Sequence, residues 1–181
     1  KKEHEEQKAL WSSGMDVMNN DPSVSNIETD GLANTAIVSH AGKIFALEEA
    51  HAPFEFDQMT LESRGSYSFN NKLQGPVTAH PKIDPITGEL LFFGYMADGF
   101  FSNTIRYTAV SKDGNISKSE LIKAPFPSMV HDFFATQKYI IIPVFPLTGD
   151  FERALNGKPP FAWEPEKLSL IHISEPTRRS M

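Results

Sequence analysis

Two histidines, His80 and His131, stand in local sequence suited to holding a metal ion or a substrate. The first lies in Val77-Thr78-Ala79-His80-Pro81-Lys82-Ile83-Asp84-Pro85-Ile86-Thr87-Gly88-Glu89, where an apolar run ends on the imidazole and turns into another, Leu90 to Tyr95. In that turn Asp84 can cap with its side chain, Pro85 presets φ, and Gly88 supplies a positive φ before the next strand. His80 is thus expected at a strand end with a rigid exit. His131 closes the short apolar run in Pro127-Ser128-Met129-Val130-His131-Asp132-Phe133-Phe134-Ala135-Thr136. The chain has no cysteine. Disulfides, thiolate metal sites and cysteine nucleophiles are therefore excluded, and histidine and carboxylate remain as the strong ligands. The two histidines are 51 residues apart, near the length of one four-stranded propeller blade. Equivalent inner-strand ends one blade apart converge on the propeller axis, so histidines in phase would face a common point.

The remaining candidates have plainer readings. Asp132 beside His131 suggests a two-histidine, one-carboxylate triad. Adjacent strand residues point to opposite faces, however, so a turn or capping role is expected for Asp132. His40 sits in a hairpin turn and reads as structural, His51 precedes Ala52-Pro53 in a loop, and His4 lies in a charged leader. No phosphate-binding glycine loop, Ser/His/Asp nucleophile motif or HExxH pair is present.

The elements that must position these residues are strands. Thr35 to His40 and Lys43 to Glu49 form a hairpin reading around His40-Ala41-Gly42-Lys43, and Phe54 to Phe56 and Gly65 to Phe69 follow. Glu89 to Met96, Thr104 to Ser111, Ile116 to Ile122, Val130 to Ala135 and Tyr139 to Phe145 continue the series. Asp113-Gly114 marks a tight hairpin. Phe151 to Asn156 alone suggests a helix, ended by Gly157. Short strands with turn signals every ~8 to 12 residues indicate an all-β sandwich, barrel or propeller, and periodicity does not choose among them. The 181 residues suffice for one substantial core, and the net charge of -6 without basic clusters argues against nucleic acid as a partner. No apolar run reaches the 18 or more residues of a membrane span, roughly, and a cytoplasmic location is expected.

Three stretches together resemble the carotenoid cleavage oxygenase family. They are Thr78-Ala79-His80-Pro81-Lys82-Ile83-Asp84-Pro85 with Thr87-Gly88-Glu89, Met129-Val130-His131-Asp132-Phe133, and Asn34-Thr35-Ala36-Ile37-Val38 with His40-Ala41-Gly42-Lys43 and Ala46-Leu47. The similarity runs from about Asp21 to Glu166, and the bacterial branch that includes stilbene-cleaving enzymes is nearest. The resemblance implies a seven-bladed propeller, of which this chain is about three blades. It implies a nonheme Fe(II) on the axis held by four histidines, with His80 and His131 the first two metal ligands and the other two beyond this chain. It implies oxidative cleavage of a carbon–carbon double bond in a conjugated apolar substrate, using dioxygen, to two carbonyl products. Glu49 falls where the family places a carboxylate that orients a ligand histidine. Stilbene-cleaving members carry a lysine directly before that glutamate to grip a phenolic hydroxyl. Glu48 stands there in this chain, so an apocarotenoid or carotenoid substrate is as much expected as a stilbene. The competing expectation is a non-catalytic propeller scaffold with structural histidines.

The ends read differently from the middle. Residues 1–20 look like a charged leader, helical or loop, and 21–167 like the propeller portion. Residues 168–181, LSLIHISEPTRRSM, resemble the translated read-through of a sequencing adapter and are expected to be a non-native tail. Some family members dock on membranes to extract substrate, but no amphipathic helix here shows such a surface.

Overall fold

The computed structural model describes residues 33–174, and the expected leader lies outside them. Strands β1 (Ala36–His40), β2 (Lys43–Leu47), β3 (Phe54–Phe56) and β4 (Ser63–Ser66) form one antiparallel meander. Strands β5 (Lys82–Ile83), β6 (Leu90–Tyr95), β7 (Thr104–Val110) and β8 (Ile116–Lys123) form a second. A third sheet has the order β13-β10-β9, built from β9 (Phe134–Ala135), β10 (Ile140–Val144) and β13 (Leu170–Ser174). Between β10 and β13 the chain inserts a ribbon of β11 (Leu147–Gly149) and β12 (Phe161–Trp163), flanking the short helix α1 (Phe151–Leu155). Asp150 caps α1 by accepting from Arg153 N. These are successive blades of a β-propeller, which resolves the choice that periodicity left open.

Strand β6 explains how the sheets hold together. Its run Leu-Leu-Phe-Phe is apolar without alternation, the signature of a strand buried on both faces. Leu90 and Phe92 point to a core shared with the first sheet, containing Phe45, Leu47, Phe69 and Val110. Leu91 and Phe93 point the other way, to a core with Val130, Phe133, Ile140, Ile142 and Val144 of the third. Each such side chain contributes on the order of 1.5–3 kcal/mol of transfer free energy. The paired phenylalanines Phe92, Phe93 and Phe133 are thus core, whereas Phe100 and Phe134 are exposed.

Several elements differ from the expectation. The run Val130 to Ala135 is strand only at Phe134–Ala135. The backbone just ahead of it bonds the ribbon, with Met129 N donating to Leu147 O and Gly149 N to Pro127 O. Phe69 lies beyond β4 at φ 50, where a left-handed turn folds its ring into the core. Strands β5, β11 and β12 are too short to carry a periodic signal. Strand β13, within residues 168–181, runs antiparallel to β10 from Val144↔Leu170 to Ile140↔Ser174. Among the described residues no helix is long and apolar enough to cross a membrane.

One close approach links this packing to the residues ahead. A Cβ on Gly94 would lie 2.1 Å from Pro76 O, because the segment leading to His80 runs against β6, with Thr78 N donating to Phe93 O at 2.7 Å. Replacing Gly94 by Ala must push that segment off β6, and is expected to destabilise the chain by ~1–3 kcal/mol. Thermal denaturation measures this, and a Gly94→Ala chain melting with the parent would contradict the close approach.

Candidate metal centre

His80 lies in a bend two residues before β5, and His131 in the coil three residues before β9. Neither ends an apolar strand as expected. Both instead precede the first, shortest strand of their sheets, so the two positions are equivalent in successive blades. The buried Thr78 hydroxyl accepts from His80 N at 3.1 Å and fixes the first bend. The exit turn is as the sequence implies: Asp84 Oδ1 accepts from Ile86 N at 2.8 Å and Thr87 N at 3.2 Å, and Gly88 has φ 72. On the other side, Ser128 Oγ donates to Phe145 O at 2.7 Å and holds the chain entering His131.

The two rings meet. His80 Nε2 and His131 Nε2 are 3.0 Å apart, with ring centroids at 4.5 Å and planes 69° apart. Glu49, two residues past β2, places Oε1 against His131 Nδ1. Glu49, His80 and His131 offer ligand atoms all within 4.8 Å of one another. They do not form a two-histidine, one-carboxylate face, because Glu49 sits behind the His131 ring on the nitrogen away from His80. A carboxylate at Nδ1 favours a proton on that nitrogen, and the other nitrogen, Nε2, faces His80.

These positions fit a metal. Imidazole binds first-row metals at about 2.1 Å, and two such bonds at a right angle place the nitrogens ~3.0 Å apart. Entry of a cation would require only that His80 carry its proton on Nδ1. The His131 side chain is 62% exposed, so its ring is accessible from solvent.

A residue the sequence did not point to completes the support. Tyr95, at the end of β6, donates its hydroxyl to Glu49 Oε2 at 3.3 Å. Burial, then the Glu49 charge, pushes the phenol well above its ordinary value, so it remains a donor. Glu48, the neighbouring carboxylate, turns elsewhere. Its Oε1 accepts from Ala50 N at 2.6 Å and His51 Nδ1 at 2.7 Å. Asp132 caps Phe133 N at 2.7 Å, the expected role, and also binds Lys82 Nζ at 2.8 Å. Burial raises its carboxyl, but the Lys82 and Phe133 hydrogen bonds outweigh that and hold it below the usual range. His40 Nε2 meets Gly88 O at 3.0 Å, a structural link between the first two sheets.

Comparison with known proteins places this geometry in a context. Residues 1–180 match the family model described as retinal pigment epithelial membrane protein. Isoeugenol monooxygenase of Pseudomonas putida is 37% identical over 172 residues, 94% of this chain and 36% of that protein. Lignostilbene-alpha,beta-dioxygenase isozyme III of Sphingomonas paucimobilis is 32% identical over 158 residues, 87% of this chain and 32% of that protein. The crystal structure of Pseudomonas brassicacearum lignostilbene dioxygenase superposes with TM-score 0.83 at 35% identity, over 96% of this chain and 36% of that one. This chain therefore spans about a third of the length of the relatives it matches.

Outer partners of ligand histidines are typically worth 10–100-fold in metal affinity, by rough rule. Glu49→Gln should weaken Co(II) binding by about tenfold or more on that basis. Tyr95→Phe, which removes one neutral donor of ~1 kcal/mol, should weaken it about fivefold. Titration followed by Co(II) absorption measures both, and equal affinity in parent and Glu49→Gln chains would show that the carboxylate does not orient a ligand.

Proposed function

Since the chain belongs to the retinal pigment epithelial membrane protein family of carotenoid and stilbene oxygenases, we propose that it is the metal-binding portion of an Fe(II)-dependent dioxygenase cleaving a conjugated carbon–carbon double bond. The observation that carries this reading is the meeting of His80 and His131 at 3.0 Å with Glu49 behind. The family is one of metal-dependent oxygenases, and the proposal is narrower in naming iron. Imidazole donors without thiolate or clustered carboxylates suit Fe(II). The bound metal would supply the activation of dioxygen, which the side chains themselves cannot perform.

The protein's own groups would do the rest. His80 and His131 would provide two neutral donors, Glu49 would fix the tautomer and raise the basicity of His131, and Tyr95 would hold Glu49. Further ligands would come from sequence beyond this chain. The substrate class is a conjugated apolar molecule, because the relatives are named for isoeugenol, lignostilbene, resveratrol and carotenoids. Glu48 offers no ammonium to a phenolate. Its pairing with His51 engages the residue-48 side chain away from the site, so a phenol would have to be recognised by another group, and an apolar polyene fits equally.

The test is expression of the continuous reading frame, iron counting by elemental analysis, and mass spectrometry of products from isoeugenol, stilbene and apocarotenoid under labelled dioxygen. Iron at one per chain, label in carbonyl products, and loss of both in His80→Ala and His131→Ala are expected. Turnover that survives both substitutions would overturn the proposal.

The 181-residue chain alone should bind iron weakly, turn over nothing and self-associate. Its outer faces carry exposed Ile37, Phe134 and Ile171, and unpaired propeller faces and edges are association surfaces. Light scattering and elemental analysis check this, and a monodisperse chain with stoichiometric iron would contradict it.

A further inference from the structure

We propose that Lys82 and Asp132 form a positioning pair that sets the separation of His80 and His131; this rests on the metal-site reading above. Lys82 is two residues after His80, and Asp132 is the residue after His131. Their Nζ–Oδ1 bond of 2.8 Å joins the two histidine-bearing segments across 50 positions of sequence. The histidines come from different sheets, and their rings meet only at the Nε2 atoms that a metal would occupy. A link between the backbone segments that carry them fixes their separation independently of that ring contact.

Both ends of the link are themselves held. Lys82 lies in β5, in register with Leu91 of β6. Asp132 spends the same oxygen on Phe133 N at 2.7 Å, which locks its rotamer to the backbone of the second segment. The Lys82 ammonium also lies 5.5 Å from the centre of the Phe133 ring, within cation–π range. That ring packs edge-on against Phe93 of β6 at 5.2 Å. The ammonium is thus gripped by two groups of one segment while its own backbone belongs to the other.

Stability alone is a poor account of this pair. Lys82 and Asp132 side chains are 35% and 50% exposed, and pairs of that kind contribute ~0–1 kcal/mol. A positional role asks for less energy and more geometry. There is also an electrostatic consequence. Asp132 neutralises a cation that would otherwise stand near the point where a divalent metal is to be held, so loss of the aspartate charge should be felt more than loss of the lysine.

The experiment is a Co(II) titration of the protein expressed from the continuous reading frame, followed by the d–d absorption spectrum, with thermal denaturation run on every variant. Asp132→Asn retains the bond from Phe133 N but removes the charge, and is expected to weaken binding about tenfold, the low end for outer partners. Lys82→Met should weaken it less, Lys82→Arg should retain most of the affinity, and Lys82→Asp combined with Asp132→Lys should recover part of what either loses. Unchanged melting with these losses supports positioning. Asp132→Asn and Lys82→Met chains that bind like the parent, while His80→Ala does not bind, would overturn the pair and leave the metal site standing. Binding that His80→Ala leaves intact would overturn both.

Discussion

The site depends on a strand with no outward face. Because β6 is buried on both sides, the first and third sheets are both built against it, and their loops arrive at its ends in fixed relation. Phe93 holds the third sheet through the Phe133 ring, its carbonyl holds the approach to His80 through Thr78 N, and Tyr95 reaches Glu49 from the strand's last position. Three groups that must converge thus come from three places anchored on one strand. Apolar burial gives this anchoring its strength, and the hydrogen bonds give it direction.

A propeller suits such a site because the metal needs donors from separated sequence. The second and third sheets each offer one histidine ahead of their first strand, and the two rings meet without either loop having to reach across. The bends themselves are ordinary. Asp84, Thr78, Ser128 and Asp132 each satisfy nearby backbone or side-chain groups, so the chain enters and leaves each histidine along a defined path. The rings are left as the variable part, and Glu49 and the Lys82–Asp132 pair act on that part.

Much of this was legible in the sequence, for identifiable reasons. Turn chemistry at Asp84 to Gly88 and Asp113-Gly114 is local, and hairpins built on local rules appear where the residues place them. The phase of His80 and His131 is legible because a blade has a fixed length. Strand assignment failed where tertiary partners decide the backbone. The apolar run before His131 bonds the ribbon as coil, and Phe69 leaves its strand to plug a core, since pattern records burial but not which edge a segment meets. Tyr95 and the Lys82–Asp132 bond were illegible because neither partner is near the other in sequence.

The adjacent carboxylates Glu48 and Glu49 show where the limit falls. Spacing alone cannot say which of two neighbouring glutamates faces His131, since a slip of one residue exchanges their faces. The structure separates them by their partners. Glu48 closes a three-residue turn onto Ala50 N and His51, and that closure turns its side chain away from the rings. His51 is held in turn by its own carbonyl, which accepts from Val77 N on the segment leading to His80. The Glu48–His51 turn therefore does two things at once. It commits Glu49 to His131, and it ties the first sheet's loop to the second sheet's histidine. A lysine at position 48 carries no acceptor for Ala50 N and could not close that turn, so the identity of residue 48 is coupled to the loop it builds.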